Sequence, residues 1–303
     1  MGRGVESGLV ADGKNKGLVL TEISLVFAAV FWGMNFAATK FVAASVPPLL
    51  LISIRFAAGG LLMYGILRLF EPGSKLERRD LLPMTALGVF GVSAAQVGFT
   101  FGVSLTTAAS TGLIFATAPV WGLLLGAFLG LERPTGRGIL GLALAVAGVG
   151  LVVVDGLGAK GESLIGDLVV LGAAVFVGAY AVLSMPLLER HSPLAVATYP
   201  ILLSLPILFV ISAPQALSLD WGSVGFGPWA ALSYSAVFAT AFTFSAWQGG
   251  IRRIGANRVL VYQYLITITG ITSGIIFFGE SLGLNKIVGG AIILLGVYLA
   301  RRQ

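Results

Sequence analysis

The sequence predicts an all-α membrane protein in which ten transmembrane helices form two inverted five-helix repeats. Three observations carry this. Of the 303 residues, 57% are hydrophobic and only 11% charged, with a mean hydropathy of +0.96; a soluble domain is about 45–50% apolar and ~25% charged. Ten apolar runs approach or reach the length that crosses a bilayer. The second half of the chain also echoes the first. This composition excludes a disordered chain, a nucleic-acid-binding domain and an ordinary soluble enzyme. The chain has no cysteine, which excludes disulfides, thiolate catalysis and Cys-ligated metal.

An α-helix needs about 20 apolar residues to cross ~30 Å of hydrocarbon. The runs that qualify are Ile23–Val42, Leu49–Leu69, Leu81–Leu105, Ala108–Leu131, Gly138–Val154, Leu164–Leu188, Leu194–Ala213, Trp229–Gly249, Asn257–Phe278 and Leu284–Ala300. The fifth and tenth are the shortest. Pro47-Pro48 opens the second run and Pro193 the seventh, because proline lacks an N–H and disfavours helix in the residue before it. Residues 1–20 are polar and glycine-rich and read as a tail. The first run spans the whole bilayer, so it reads as a retained helix rather than a cleaved signal.

Lys and Arg outside the runs orient the chain. With the N-terminus inside, fifteen of the nineteen fall on the inner side, from Arg3 through the Arg68–Arg79 and Arg252–Arg258 loops to Arg302. Lys160, Lys286 and Lys40 fall on or near the outer side. The positive-inside rule therefore places both termini in the cytoplasm, and it accounts for the formal charge of +6 without an anionic partner.

The halves resemble each other. Ala28-Ala29-Val30-Phe31 with Gly33 recurs 145 positions later as Ala173-Ala174-Val175-Phe176 with Gly178, and Pro48-Leu49 as Pro193-Leu194. Further along, the spacing is 148: Ala108 with Ala256, Glu132 with Glu280, Gly141 with Gly289, Gly148 with Gly296. The implied units are residues 21–156 and 157–303. Five is odd, so the second unit begins on the opposite side of the membrane, giving inverted repeats of the kind secondary transporters use to exchange inward- and outward-open states.

The charges and amides inside the runs narrow the chemistry. Neither Asp nor Glu lies near the middle of any run, which argues against a carboxylate-driven antiporter. Lys40 and Arg55 are the intramembrane cations. Two readings stand for each: a positive lining that attracts a substrate carboxylate, or a side chain that snorkels or bonds backbone carbonyls. Amides are costly in lipid without partners, so Asn35, Gln96 and Gln263 are expected to face the bundle interior. With Trp32, Phe99, Trp121, Tyr180, Tyr234, Tyr262 and Tyr264 they make the candidate substrate contacts, set against the alternative that such aromatics only pack or anchor at interfaces. Tyr262 and Tyr264 cannot both face one cavity, since i and i+2 point ~200° apart on a helix. Glu132 and Glu280 sit at equivalent helix ends and read as structural, pairing with an Arg or capping backbone N–H groups. Pro119, central in the fourth run, is the hinge candidate.

Leu131-Glu132-Arg133-Pro134 followed by Gly141 and Gly148, its echo at Glu280, Gly289 and Gly296, and the opening Phe31-Trp32-Gly33-Met34-Asn35-Phe36 resemble the drug/metabolite transporter superfamily. Within it the chain is similar to the ten-helix EamA type and to the YddG-like aromatic amino-acid exporters, over residues 21–302. The resemblance implies a basket-like bundle with a central cavity in the bacterial inner membrane, exporting amino acids. The second half has Val177-Gly178 where the first has Trp32-Gly33, so Trp32 does not serve a symmetric structural role.

The resulting expectation is an exporter of aromatic or large neutral amino acids and related metabolites, working by alternating access. It has the lipid bilayer and a small-molecule substrate as partners, binds no nucleic acid, and needs no cofactor or metal. A monomer suffices, because both repeats lie in one chain. Two alternatives are a broad drug and metabolite exporter, which for cationic cargo would favour a buried carboxylate, and a membrane-embedded enzyme, which would need clustered His, Asp or Glu at membrane depth. No P-loop motif is present, so ATP drive is not encoded in this chain.

Overall fold

A computed structural model describes residues 3–130, 136–156, 164–259 and 262–301. Glu132 and Lys160 lie outside these residues. The described residues contain helices and no strand. Helix α1 (Arg3–Ala43) is followed by α2 (Pro48–Phe70), which begins at the expected proline pair. A third rod runs without a break from Arg78 to Leu105. It comprises α3 (Arg78–Ala86), a π-helical stretch at Leu87–Ala94 and α4 (Ala95–Leu105). Then come α5 (Ala108–Phe115), α6 (Ala118–Phe128) and α7 (Gly136–Gly156).

The second half opens with α8 (Leu164–Leu188) and α9 (Pro193–Ser218). Ser192 caps α9 by accepting from the Ala195 N–H at 3.1 Å, the role expected of a serine before a proline at the first helical position. A rod from Phe226 to Ile254 contains α10 (Phe226–Tyr234), a second π-helical stretch at Ser235–Phe242, and α11 (Thr243–Ile254). It stops at Gly255, whose φ of +83° suits a residue without a Cβ. Short α12 (Ala256–Val259), α13 (Tyr262–Phe278) and α14 (Leu284–Arg301) complete the chain.

Seven of the described helical segments are long and apolar enough to cross a membrane, and Tyr262–Phe278 and Leu284–Leu299 are apolar but shorter. The Phe226–Ile254 rod is not among the seven. Ser235, Thr240, Thr243, Gln248, Arg252 and Arg253 dilute its hydropathy, and the first four are buried rather than turned to lipid. Helix therefore covers each of the ten expected runs in its described part, while length and composition alone support fewer crossings.

Close packing depends on glycine at α7 and α14. A Cβ on Gly148 would lie 2.6 Å from the Gly289 carbonyl, one on Gly289 would lie 2.7 Å from the Gly148 carbonyl, and one on Gly296 would lie 2.6 Å from the Gly141 carbonyl. Gly141 faces Gly296 and Gly148 faces Gly289, so the two helices run antiparallel with backbones in contact, as small residues permit in membrane bundles.

The two π stretches have the same length and are displaced by 148 positions, Leu87 to Ser235 and Ala94 to Phe242. The first packs against α8 and α9, where Gly88 sits on the Pro200 carbonyl and Gly91 on the Tyr180 ring. The second packs against α1 and α2, where a Cβ on Gly59 would lie 2.9 Å from the Ala236 carbonyl.

Gly148→Leu is expected to destabilise the protein by about 1–3 kcal/mol through overpacking, read as a lower midpoint of thermal unfolding in detergent. Gly150→Leu, where nothing lies within 4 Å of a new Cβ, leaves the midpoint within experimental error.

Candidate functional site

Amides and a cation inside an apolar bundle must find partners in the protein, and here they converge. A narrow cavity of about 40 Å³ lies among α1, α2, α4, α5, α8 and α13. Trp32, Asn35 and Phe36 line it from α1, Arg55 from α2, Gln96 and Phe99 from α4, Phe115 from α5, Val177 from α8, and Gln263 and Ile266 from α13. Phe36, Phe99 and Phe115 form a ring cluster with centroids 5.1–6.2 Å apart. Trp32 meets Phe244 edge-on at 5.4 Å and Trp247 at 5.1 Å.

Arg55 is the charged member and is 0% exposed. Its Nε donates to Thr240 Oγ1 at 2.8 Å and its Nη1 to Gln96 Oε1 at 3.3 Å. Its Nη2 is buried and donates to no protein acceptor. Thr240 belongs to the second π stretch, so the guanidinium is held between the halves. Ion pairs elsewhere in the described residues join Lys40 to Glu280, Arg79 to Glu77 and Asp80, and Arg190 and His191 to Asp80; none of these includes Arg55. The site is thus a cation with hydrogen-bonding capacity to spare, bordered by aromatic rings.

Asn35 and Gln263 are 2% and 4% exposed and face inward, as the cost of burying an amide in lipid predicts. Asn35 Oδ1 accepts from Ser235 Oγ at 2.6 Å. Gln263 turns inward between Tyr262 and Tyr264, and neither tyrosine lines the cavity. Tyr264 hydroxyl instead donates to the Leu294 carbonyl of α14 at 3.5 Å, and Tyr262 is partly buried against the core.

Three further candidates lie elsewhere. Trp121 lines a separate apolar cavity of about 90 Å³ toward α7 and α8, with its indole N–H on Thr117 Oγ1 at 3.0 Å. Tyr234 lines a lateral apolar cavity of about 440 Å³ and donates to the Phe31 carbonyl at 2.9 Å. Tyr180 is buried outside the cavity lining, its ring edge-on to Phe244, and accepts from Gln248 Nε2 at 2.7 Å. The displacement of Trp121 has a local cause. The fourth run is two helices, α5 and α6, with a turn at Ala116–Thr117 just before Pro119, and the turn changes which face points inward. Pro119, the hinge candidate, lies in the first turn of α6.

Phe36, Phe115, Val177, Ile266 and Thr240 complete the site, and the sequence alone does not single them out. Thr240 carries the one usable signal, a hydroxyl in an otherwise apolar stretch.

Polar clusters tie the halves at both ends of the Arg78–Leu105 rod. At the Leu105 end, Glu280 pairs with Lys40 Nζ at 2.8 Å and accepts the Ala108 and Ala109 N–H groups at 2.9 and 3.0 Å. Lys40 also donates to the Thr106 carbonyl at 3.1 Å. Glu280 is therefore a cap on the N-terminus of α5, contributed by the other half and paired with a lysine rather than an arginine. At the Arg78 end, Asp80 holds His191 Nε2 and Arg190 Nη2, each at 2.8 Å, and Arg252 donates to the His191 carbonyl at 3.3 Å.

The pattern of the EamA-like transporter family matches residues 19–154 and again 164–302. The chain belongs to that family. Among the similar proteins is a "probable terminal-alkyne amino-acid exporter" from Streptantibioticus cattleyicolor, 31% identical, with the match covering 76% of this chain and 77% of that one. A "probable amino-acid metabolite efflux pump" from Salmonella typhimurium is 26% identical over 90% of this chain and 92% of that one. An uncharacterised transporter from Archaeoglobus fulgidus is 26% identical over 93% and 98%. A solved structure titled "Crystal structure of protein" superposes with a TM-score of 0.63 at 20% identity, covering 91% of this chain and 94% of that one; it shares the fold of this EamA-like chain. The protein is a multi-pass membrane protein of a transporter family.

Losing Glu280 strands both Lys40 and two helix N–H groups. Glu280→Gln and Lys40→Met are each expected to cost about 2–3 kcal/mol. The double variant should cost less than their sum, because both changes break one interaction. Thermal unfolding in detergent reads all three.

Proposed function

We propose that this EamA-like protein exports amino acids, aromatic or large neutral ones and related metabolites, by alternating access between two inverted repeats. The observation that carries the reading is the buried Arg55 guanidinium with a free Nη2 in an aromatic cavity. A buried charge without an opposite charge is costly, and a substrate carboxylate is the partner that would complete its hydrogen bonds. Guanidinium binds carboxylate through two parallel N–H donors, and the rings around it suit an aromatic or bulky side chain. The names of the Streptantibioticus and Salmonella relatives point the same way.

Several features support inverted repeats. Equivalent helices α7 and α14 run antiparallel through glycines that the repeat also pairs. The π stretches recur at the repeat spacing, and each packs on the opposite half. The cavity takes residues from equivalent positions, Trp32 with Val177 and Phe115 with Gln263, as a cavity on a pseudo-twofold axis would. In this reading the units are residues 21–156 and 157–303, there are ten crossings of the bacterial inner membrane, and both termini are cytoplasmic. A single copy suffices, and the protein is not an enzyme. At about 40 Å³ the cavity holds only a few waters, so in this reading it must widen to admit cargo. π turns often mark functional sites, and the two here are the segments that would flex, with the α5–α6 break at Pro119 as a further hinge.

The test is counterflow in liposomes containing the purified protein, preloaded with unlabelled phenylalanine. Saturable entry of labelled phenylalanine, competed by tryptophan and tyrosine, is expected. Arg55→Gln should lower it at least tenfold, the weight of one charge-assisted hydrogen bond. Trp121→Phe, remote from the cavity, should leave it nearly unchanged. Absence of amino-acid exchange in folded protein would overturn the assignment in favour of drugs or other metabolites.

A further inference from the structure

The charge balance of the central cavity defines its cargo more narrowly than "amino acid". A zwitterion brings a carboxylate and, one carbon away, an ammonium. The cavity offers one full positive charge, Arg55, and no carboxylate among its lining residues. Two of the three lining amides are already engaged, Gln96 Oε1 accepting from Arg55 itself and Asn35 Oδ1 from Ser235, and the third, Gln263, offers an ammonium a neutral acceptor only. An ammonium held beside the carboxylate would face the guanidinium in a site of low dielectric, where like charges repel strongly. A ligand carrying the carboxylate without the positive charge gains the attraction and avoids the repulsion. The walls, Trp32, Phe99 and Phe115, select a ring or a bulky apolar group at its other end.

We infer that the cavity recognises monoanionic carboxylates with an aromatic or large apolar tail, such as N-acylated amino acids and 2-oxo or 2-hydroxy acids, in preference to the free zwitterionic amino acids. This rests on the transport reading above and narrows its cargo. It also places the protein next to a class of reaction: acylation or deamination of amino acids would supply such substrates.

The experiment is counterflow into liposomes with two labelled probes, phenylalanine and N-acetylphenylalanine, and a competitor panel on the unmodified protein. The panel is N-acetylphenylalanine, phenylpyruvate, 3-phenylpropionate, phenylalanine, phenylalanine methyl ester and phenethylamine. The three anions are expected to compete at concentrations at least threefold lower than phenylalanine does, and the two cations not to compete. Exchange of N-acetylphenylalanine without exchange of phenylalanine would support the anion preference and overturn export of the free amino acid. Phenylalanine exchange that ignores the anions, or that the ester or amine inhibits as well, would overturn the inference and leave amino-acid export standing. Failure of both probes to exchange in protein that melts cooperatively would overturn both. Arg55→Lys keeps the charge and is expected to keep the anion preference, whereas Arg55→Gln loses it at least tenfold.

Discussion

The guanidinium of Arg55 dictates the arrangement around it. Arginine does not give up its proton in a protein, so its charge remains wherever the chain buries it. In a bilayer-spanning bundle that charge needs acceptors from neighbouring helices, and it obtains two, Thr240 and Gln96. Both require close approach. Thr240 reaches it because α2 carries glycines where the second π stretch leans in, with Gly59 against Thr240 and Ala236. Gln96 reaches it from the start of α4, just past the first π stretch. The third nitrogen, Nη2, is buried without a protein acceptor, in a side chain that borders a cavity walled by rings. The polar groups of the site are thus explained by what a buried cation demands, and the unsatisfied remainder is what a cargo would meet.

Around this centre the two halves pack along many helices, and three of their contacts stand out. Glycine-on-glycine contact joins α7 to α14, where neither polar bonds nor bulky packing are needed. The Lys40–Glu280 pair and the Asp80–His191–Arg190 group join the halves at opposite ends of the Arg78–Leu105 rod. Each polar group links one half to the other, and the cavity lies between them.

The helices were legible because the bilayer imposes length and composition together. The inward amides were legible for a related reason: Asn35, Gln96 and Gln263 have nowhere else to go at low cost. The choice among Tyr262, Gln263 and Tyr264 follows from helix periodicity once one of them is placed. Trp121 was not legible, because Pro119 marks an interruption in the fourth run without telling how the helix after the Ala116–Thr117 turn is set. The Lys40–Glu280 pair was not legible either. Its partners lie 240 residues apart, and the sequence offered arginines as nearer partners for Glu280. Thr240 is signalled only as a hydroxyl in an apolar stretch until the fold sets it against a charge. The π stretches leave no mark in composition, and only their recurrence at the repeat spacing gives them meaning.

Carboxylate recognition by Arg55 is tested most directly by a structure of the protein in a lipid nanodisc with bound N-acetylphenylalanine, determined by electron cryomicroscopy. The carboxylate is expected within hydrogen-bond distance of Arg55 Nη2 and the ring between Trp32 and the Phe36–Phe99–Phe115 cluster, in a cavity wider than the present one. Density for the ligand at the lateral pocket beside Tyr234, or elsewhere, with the Arg55 contacts unchanged, would contradict it.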